Sequence, residues 1–333
     1  MDSAKLWRFI SIYLSTTLAI LRYALHCFST LNSLPSLLFK SMDTALSLYF
    51  RFCGLSPCTI DLDDQTTMHF WTSNHRRFDR PALIMVHGYG GASTWQFVHQ
   101  VGPLSRKFNL YIPDLLFFGE SYSCKSDRSD YFQARCVVRG LRGLGVERFA
   151  AYGISYGGFV AHRMAEMYPD AVEKLVIVNS GIGWSEEQRG EQLQKIGRHP
   201  AEIFVPKHPN DLRLLVNLSM HKPNWTGWAP DFLLREFINV MYNHCRKEKI
   251  ELIEHLLQKQ PDSNIPVITQ ETLLIWGDQD KVFPVEIAQD IHRHLEQKSR
   301  LEIIKDTGHG ANMESPDAVN SLIISFVSGS PNS

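Results

Sequence analysis

Six short runs of consecutive apolar residues punctuate the chain: ALIMV at 82–86, FNLYIP at 108–113, RFAAYGI at 148–154, KLVIVN at 174–179, ETLLIW at 271–276 and RLEIIK at 300–305. Most stretches between them read as helices. Near-continuous apolar runs predict strands buried on both faces, and such strands alternating with helices predict an α/β fold with a mostly parallel central sheet. Ahead of them, TIDLDDQTTMHFWT alternates from Thr59 onward and predicts a hairpin turning at Asp63-Asp64-Gln65. The globular fold is expected to start there.

Between Ser180 and Gln270 the strand pattern stops for about ninety residues, which are helical in character and rich in aromatics, including Trp184, Trp225, Trp228, Phe232 and Phe237. An insertion of that size between two core strands predicts a helical cap over the carboxyl edge of the sheet. The expected organisation is an apolar amino-terminal segment over 1–58, a core over 59–180 and 271–333, and a cap over 181–270.

The amino terminus follows a different pattern. Residues 6–50 are strongly apolar, and no Asp or Glu occurs between Asp2 and Asp43. The uncharged stretch Phe9 to Leu21 is about thirteen residues, short of the roughly twenty that cross a bilayer, and Arg22 ends it. Three readings fit: a helix on or shallowly in a membrane with Lys5, Arg8 and Arg22 reaching the headgroups, a signal-type segment, or helices packed on the protein's own body. Tyr23, Leu25 and His26 after Leu21 offer no small-residue cleavage site, which disfavours removal. The expectation is association with a membrane surface, at the endoplasmic reticulum, with the catalytic part outside the bilayer and a cytoplasmic location as the alternative.

Composition narrows the function. With 34 basic and 35 acidic residues among 333, the net charge is -1, and no basic run exists to track a nucleic acid. The six cysteines are scattered without a CxxC pair, which argues against a zinc site or a disulfide scaffold. The triplets Asn217-Leu218-Ser219 and Asn224-Trp225-Thr226 fit glycosylation but do not fix a compartment.

The chemistry lies at strand ends. RFAAYGI runs into Gly153-Ile154-Ser155-Tyr156-Gly157-Gly158 and then a helical pattern, the strand, G-x-S-x-G, helix order of a nucleophile elbow. A serine hydroxyl needs a base, and the base an orienting carboxylate. After ETLLIW comes Gly277-Asp278-Gln279-Asp280, and after RLEIIK comes Asp306-Thr307-Gly308-His309. His309 is the expected base among fourteen histidines, the others, such as His162, lying on helical or cap sequence. Asp280 is the expected acid, with Asp278 structuring the loop. The glycine-rich turn His87-Gly88-Tyr89-Gly90-Gly91 follows ALIMV, and the backbone amides of Tyr89 and Tyr156 are the expected oxyanion donors. His87 is expected to be structural, and Asp114 to hold the loop LLFFGES.

HGYGG, PDLLFFGES, GISYGG, LLIWGDQDKVFP and DTGHGANMESP, in that order, resemble the α/β-hydrolases, most closely plant serine hydrolases similar to monoacylglycerol lipase and the bacterial carbon-carbon bond hydrolases. The resemblance covers about Thr59 to Val327. It implies the α/β-hydrolase fold, Ser155 as nucleophile, His309 as base, Asp280 as its partner, and Tyr89 and Tyr156 as oxyanion donors. Epoxide hydrolases and dehalogenases of the superfamily place an aspartate where this chain has Ser155. The segment GANMESPD lacks the H-x4-D spacing of acyltransferase-like relatives, which favours water as the acceptor.

The expected activity is hydrolysis of a hydrophobic ester, a monoacylglycerol-like lipid or an aromatic ester, without metal or organic cofactor. Two rivals stay open. One is a carbon-carbon hydrolase in which Arg189, Arg198 or Arg213 binds an acidic dienol. The other is a slow small-molecule receptor that keeps the triad.

Overall fold

The computed structural model describes residues 35–258 and 268–329. The expectations placed on residues 1–34 therefore lie outside the described residues. A first helix, α1, covers 35–52, and β1 (Leu55–Asp63) and β2 (Thr66–Ser73) form the antiparallel hairpin. β1 starts four residues ahead of Thr59 because Leu55 is already buried against the core. The core then alternates: β3 (Ala82–Val86), α2 (Ser93–Gln96), α3 (Val98–Ser105), β4 (Asn109–Pro113), β5 (Tyr122–Ser123), α4 (Asp130–Gly143), β6 (Phe149–Ile154), α5 (Tyr156–Met167) and β7 (Val172–Val178).

Among the described residues, five α-helices lie between β7 and the next strand: α6 (Glu186–Ile196), α7 (Pro200–Phe204), α8 (Pro209–Ser219), α9 (Asp231–Tyr242) and α10 (Arg246–Gln258). β8 (Glu271–Gly277), α11 (Val285–Leu295), β9 (Ser299–Ile304), α12 (Ala311–Glu314) and α13 (Pro316–Ser328) complete the core.

The sheet order is β1-β2-β4-β3-β6-β7-β8-β9, with β5 beside β2. From β4 to β9 every neighbouring pair is parallel, whereas β2 meets β1, β4 and β5 antiparallel. The mostly parallel sheet read from the apolar runs is thus present, with an antiparallel edge.

Successive side chains on a strand point to opposite faces, so each central run must be apolar throughout. Ile84, Val86, Ala151, Ile177 and Leu274 pack with the face that carries α4, α5 and α11. Leu83, Met85, Ala150, Val176 and Ile275 pack with the opposite face, where α3 and α13 lie. Phe50, fully buried at the end of α1, joins that second face against Trp71.

Candidate active site

Ser155 stands between β6 and α5 with φ 54°, a left-handed backbone that costs a non-glycine residue about 1 kcal/mol or more. The turn leaves no room beside it. A β-carbon on Gly157 would run into the Val86 carbonyl, and one on Gly153 into the Gly157 carbonyl. The two glycines of the motif are thus required by close backbone approach as much as by turn geometry.

The loops after β8 and β9 converge on this serine. Ser155 Oγ lies 2.8 Å from His309 Nε2, and His309 Nδ1 lies 2.9 Å from Asp280 Oδ2. A carboxylate only accepts, so Nδ1 carries the proton and Nε2 is left to accept from the serine hydroxyl. Asp280 Oδ1 also accepts from the backbone amides of Val282 and Phe283, at 2.7 and 2.9 Å. Three of the residues selected from sequence are therefore joined in one hydrogen-bonded chain. Asp278 is elsewhere, accepting from the Thr307 amide at 3.3 Å and tying the two loops together.

The glycine-rich turn lies directly against the serine: a β-carbon on Gly88 would stand 3.0 Å from Ser155 Cβ. Gln96 straps this turn. Its Oε1 accepts from the Gly88 amide at 2.8 Å, and its Nε2 donates to the Gly88 and Gly90 carbonyls at 3.0 and 2.6 Å. Tyr89, one of the two expected oxyanion donors, sits in this turn, and the other, Tyr156, is the first residue of α5, where the amide has no intrahelical acceptor. The Tyr89 hydroxyl donates to the Lys249 carbonyl on α10, linking the turn to the inserted helices.

A cavity of about 130 Å³ opens from Ser155 between the sheet and the inserted helices. Its walls are mostly apolar, with Phe204 from α7 and Leu252, Ile253 and Leu256 from α10 facing Phe159 and Phe283. Phe283 also packs edge-on against the His309 ring at 5.4 Å, so the same side chain shapes the cavity and flanks the base. Of the five inserted aromatics singled out in the sequence, Trp184 lines the cavity, whereas Trp225, Trp228 and Phe232 are exposed on another part of the inserted helices.

Among the other contributors, Asn179 and His162 were not legible in advance, whereas His87 and Asp114 take the supporting places expected of them. Asn179, fully buried at the end of β7, donates from Nδ2 to Asp280 Oδ2 at 2.9 Å and to the Gly308 carbonyl at 3.1 Å. His162 lines the cavity from α5, a position its helical sequence context did not distinguish from an ordinary surface histidine. His87 accepts the Leu115 amide at Nε2, and its other nitrogen bonds the Gly88 carbonyl, so it braces the turn; burial lowers its pKa and keeps it neutral. Asp114 binds the amides of Ser93 and Glu120 and the ring of His69, which makes it the hub of the loop it was expected to hold. Burial is the largest single influence and opposes its charge, but the hydrogen bond and charge of His69, the nearby His87 and the Ser93 hydrogen bond together outweigh it and lower its pKa.

Lys249 is the least expected of these. It is 2 % exposed, its Nζ donates to the Met241 carbonyl at 3.0 Å, and burial pulls its pKa down to about 8. The sequence KEKIELIEHLLQ reads as a solvated helix face and gives no hint of it.

Residues 81–316 match the family described as alpha/beta hydrolase fold. Among curated relatives, mouse epoxide hydrolase 4 is 24% identical over 292 residues, covering 80% of this chain and 77% of the relative. A Pseudomonas 2-hydroxy-6-oxononadienedioate/2-hydroxy-6-oxononatrienedioate hydrolase is 26% identical over 261 residues, covering 74% and 87%. Mouse monoacylglycerol lipase ABHD6 is 25% identical over 259 residues, covering 74% and 76%. Among solved structures, a membrane phospholipase A described as a bacterial virulence factor superposes with a TM-score of 0.75 at 23% identity, covering 95% of this chain and 99% of that one.

Proposed function

The chain belongs to the α/β-hydrolase family, and on that premise we propose that it is a serine hydrolase of carboxylic esters whose acyl or aromatic part is hydrophobic. The observation that carries this reading is the hydrogen-bonded chain from Ser155 through His309 to Asp280 at the mouth of an apolar cavity. His309 would take the proton of Ser155 as Oγ attacks the ester carbonyl, and Asp280 would hold the imidazolium that results. The negative charge on the carbonyl oxygen would be met by the amides of Tyr89 and Tyr156, each such donor contributing about 3 to 4 kcal/mol. His309 then returns its proton to the departing alcohol, and a water activated by the same nitrogen releases the acid. No step calls for a metal or an organic cofactor.

The similarity to a monoacylglycerol lipase fits a lipid ester, and the apolar walls fit its chain. An insoluble substrate and the apolar amino-terminal sequence together fit an enzyme working at a membrane surface, with the endoplasmic reticulum as the proposed site. No helix among the described residues is long and apolar enough to cross a bilayer.

One observation favours a carbon-carbon hydrolase as the second reading: Arg189 lines the cavity, where it would attract an acidic dienol. Arg198, paired with Glu202 and Asp211, and Arg213, paired with Asp231, do not line the cavity, so neither is placed for that task. Turnover of a long-chain monoacylglycerol, an aromatic ester and a ring-cleavage dienone by the purified full chain separates the readings. Ester turnover at least tenfold above dienone turnover is expected. The reverse order would replace the ester reading by the carbon-carbon one.

A further inference from the structure

Twelve large hydrophobic side chains are exposed among the described residues, and eight of them fall in two segments. Leu37, Leu38, Met42, Leu48 and Phe52 lie on α1; Trp225, Trp228 and Phe232 lie at the start of α9 and in the turn before it. The remaining four, Phe78, Tyr122, Ile303 and Met313, are scattered along the chain and need no special account.

The two segments adjoin in space. The ring of Phe39, on the buried side of α1, meets that of Phe237 of α9 at 5.6 Å, and Trp225 meets the same Phe237 at 5.6 Å. The Trp95 indole donates to Asp43 of α1 at 3.0 Å and packs on Phe237 as well.

α1 is apolar around far more of its circumference than the core covers. Phe39, Leu46 and Phe50 turn inward, while Leu38, Met42, Ala45, Leu48 and Phe52, spaced by four, three, three and four residues, form a second stripe that faces outward. Lys40, Thr44, Ser47 and Arg51 fill the remaining sector with Asp43 at its edge, and Ser41 interrupts the outward stripe with its hydroxyl bonded to the Leu38 carbonyl. An exposed apolar stripe of this kind, with further exposed aromatics on the neighbouring segment, marks a docking surface.

From these observations the geometry points to a lipid bilayer as the occupant: the outward stripe of α1 together with Trp225, Trp228 and Phe232 forms one face that lies in the membrane interface. Two features select lipid over a second protein. The sequence that leads into α1 has no acid between Asp2 and Asp43 and carries Trp7, Arg8, Tyr13, Arg22 and Tyr23, the residue types that suit a headgroup boundary. The charges exposed on α1 are Lys40 and Arg51 and one acid, Asp43, which is engaged by Trp95. On α1 the apolar stripe is flanked by the cations Lys40 and Arg51, which fits the anionic surface of a leaflet, and Asp231 beside Phe232 is paired with Arg213.

The face connects to the site through α9, which carries Phe232 at its start, Phe237 at its middle and Tyr242 at its end, where the Tyr242 hydroxyl would stand 3.0 Å from a β-carbon on Gly90. A bilayer bound here lies at the far end of the helix that reaches the glycine-rich turn.

This inference rests on the membrane part of the proposed function and is tested separately from the ester chemistry. Full-chain protein is mixed with vesicles of seven parts phosphatidylcholine to three parts phosphatidylserine, carrying brominated acyl chains, and tryptophan emission is followed. Wild type is expected to be quenched, and the Trp225→Phe/Trp228→Phe variant to lose a distinct part of that quenching. In Leu48→Ser/Phe52→Ser/Phe232→Ser, hydrolysis of a long-chain ester carried in the vesicles is expected to fall roughly tenfold, with hydrolysis of a soluble butyrate ester unchanged.

Equal quenching of wild type and the tryptophan variant would overturn the face, leaving lipid contact to residues outside it. Absence of quenching, with a dimer in sedimentation that the serine variant abolishes, would assign the face to a second copy of the chain. Failure of every ester to turn over, with the quenching difference intact, would count against the proposed chemistry and not against the docking face.

Discussion

Asn179 donates its side-chain amide to Asp280 Oδ2 over 2.9 Å, and that oxygen also accepts from His309 Nδ1. With the Val282 and Phe283 amides on Oδ1, the carboxylate receives four hydrogen bonds and has one orientation open to it. Asn179 itself is held at φ 47°, a left-handed backbone that asparagine tolerates better than most residues. A buried hydrogen bond to a charged acceptor is worth about 1.5 to 3 kcal/mol. Replacing Asn179 by Ala should lower kcat roughly tenfold or more with KM little changed. Steady-state kinetics beside a melting curve checks this: partial unfolding would also lower apparent kcat at constant KM, so the drop must persist when the variant is fully folded at the assay temperature and rates are taken per titrated active site.

Gln96 makes three hydrogen bonds to the backbone of the turn that carries Tyr89. Gln96→Leu keeps the volume and removes all three. If that turn supplies an oxyanion donor, kcat should drop roughly tenfold while the acyl cavity still binds substrate, because a misplaced donor weakens the transition state more than the ground state. A rise in KM at constant kcat would remove the turn from the chemistry.

The buried amine of Lys249 makes a pH prediction. Its folded pKa of about 8 lies below the ordinary value of about 10.4, so between those values the unfolded chain holds more protons than the folded one. Stability from this group therefore rises with pH from about 8 to about 10 and is flat below 8. Lys249→Met lacks that increment. The Tm of wild type minus that of the variant should increase across this window, and a difference that stays constant would show that the amine is not depressed.

Leu256 lines the cavity from the last turns of α10 and is partly exposed, so a larger side chain there costs less than in the sealed core. Leu256→Trp should cut kcat/KM for long-chain esters by roughly tenfold or more and leave acetate esters within about twofold, if this wall contacts the acyl chain. Equal losses for both would place the acyl group elsewhere.

The strands and the triad candidates were legible because they obey local rules. A buried parallel strand must be apolar on successive positions, and β3 coincides with ALIMV residue for residue. Ser155 was marked by glycines that the backbone approach demands, and His309 and Asp280 by their place after strands. Asn179, Gln96 and Lys249 were not legible, because each acts through contacts spanning loops or helices that no spacing rule connects. Asn179 ends a strand as any polar residue could, and only the fold brings it to Asp280, 101 residues later. The inserted aromatics divided in the same way: composition could not tell that Trp184 would face the cavity while Trp228 faced outward.

Ester hydrolysis here depends first on Ser155 being an activated nucleophile, and active-site labelling by a fluorophosphonate tests that directly. Purified wild type should label, Ser155→Ala should not, and His309→Ala should label slower by roughly a thousandfold, since without the base the hydroxyl is an ordinary alcohol. Folded wild type that fails to label, or labelling that persists in Ser155→Ala, would contradict the account.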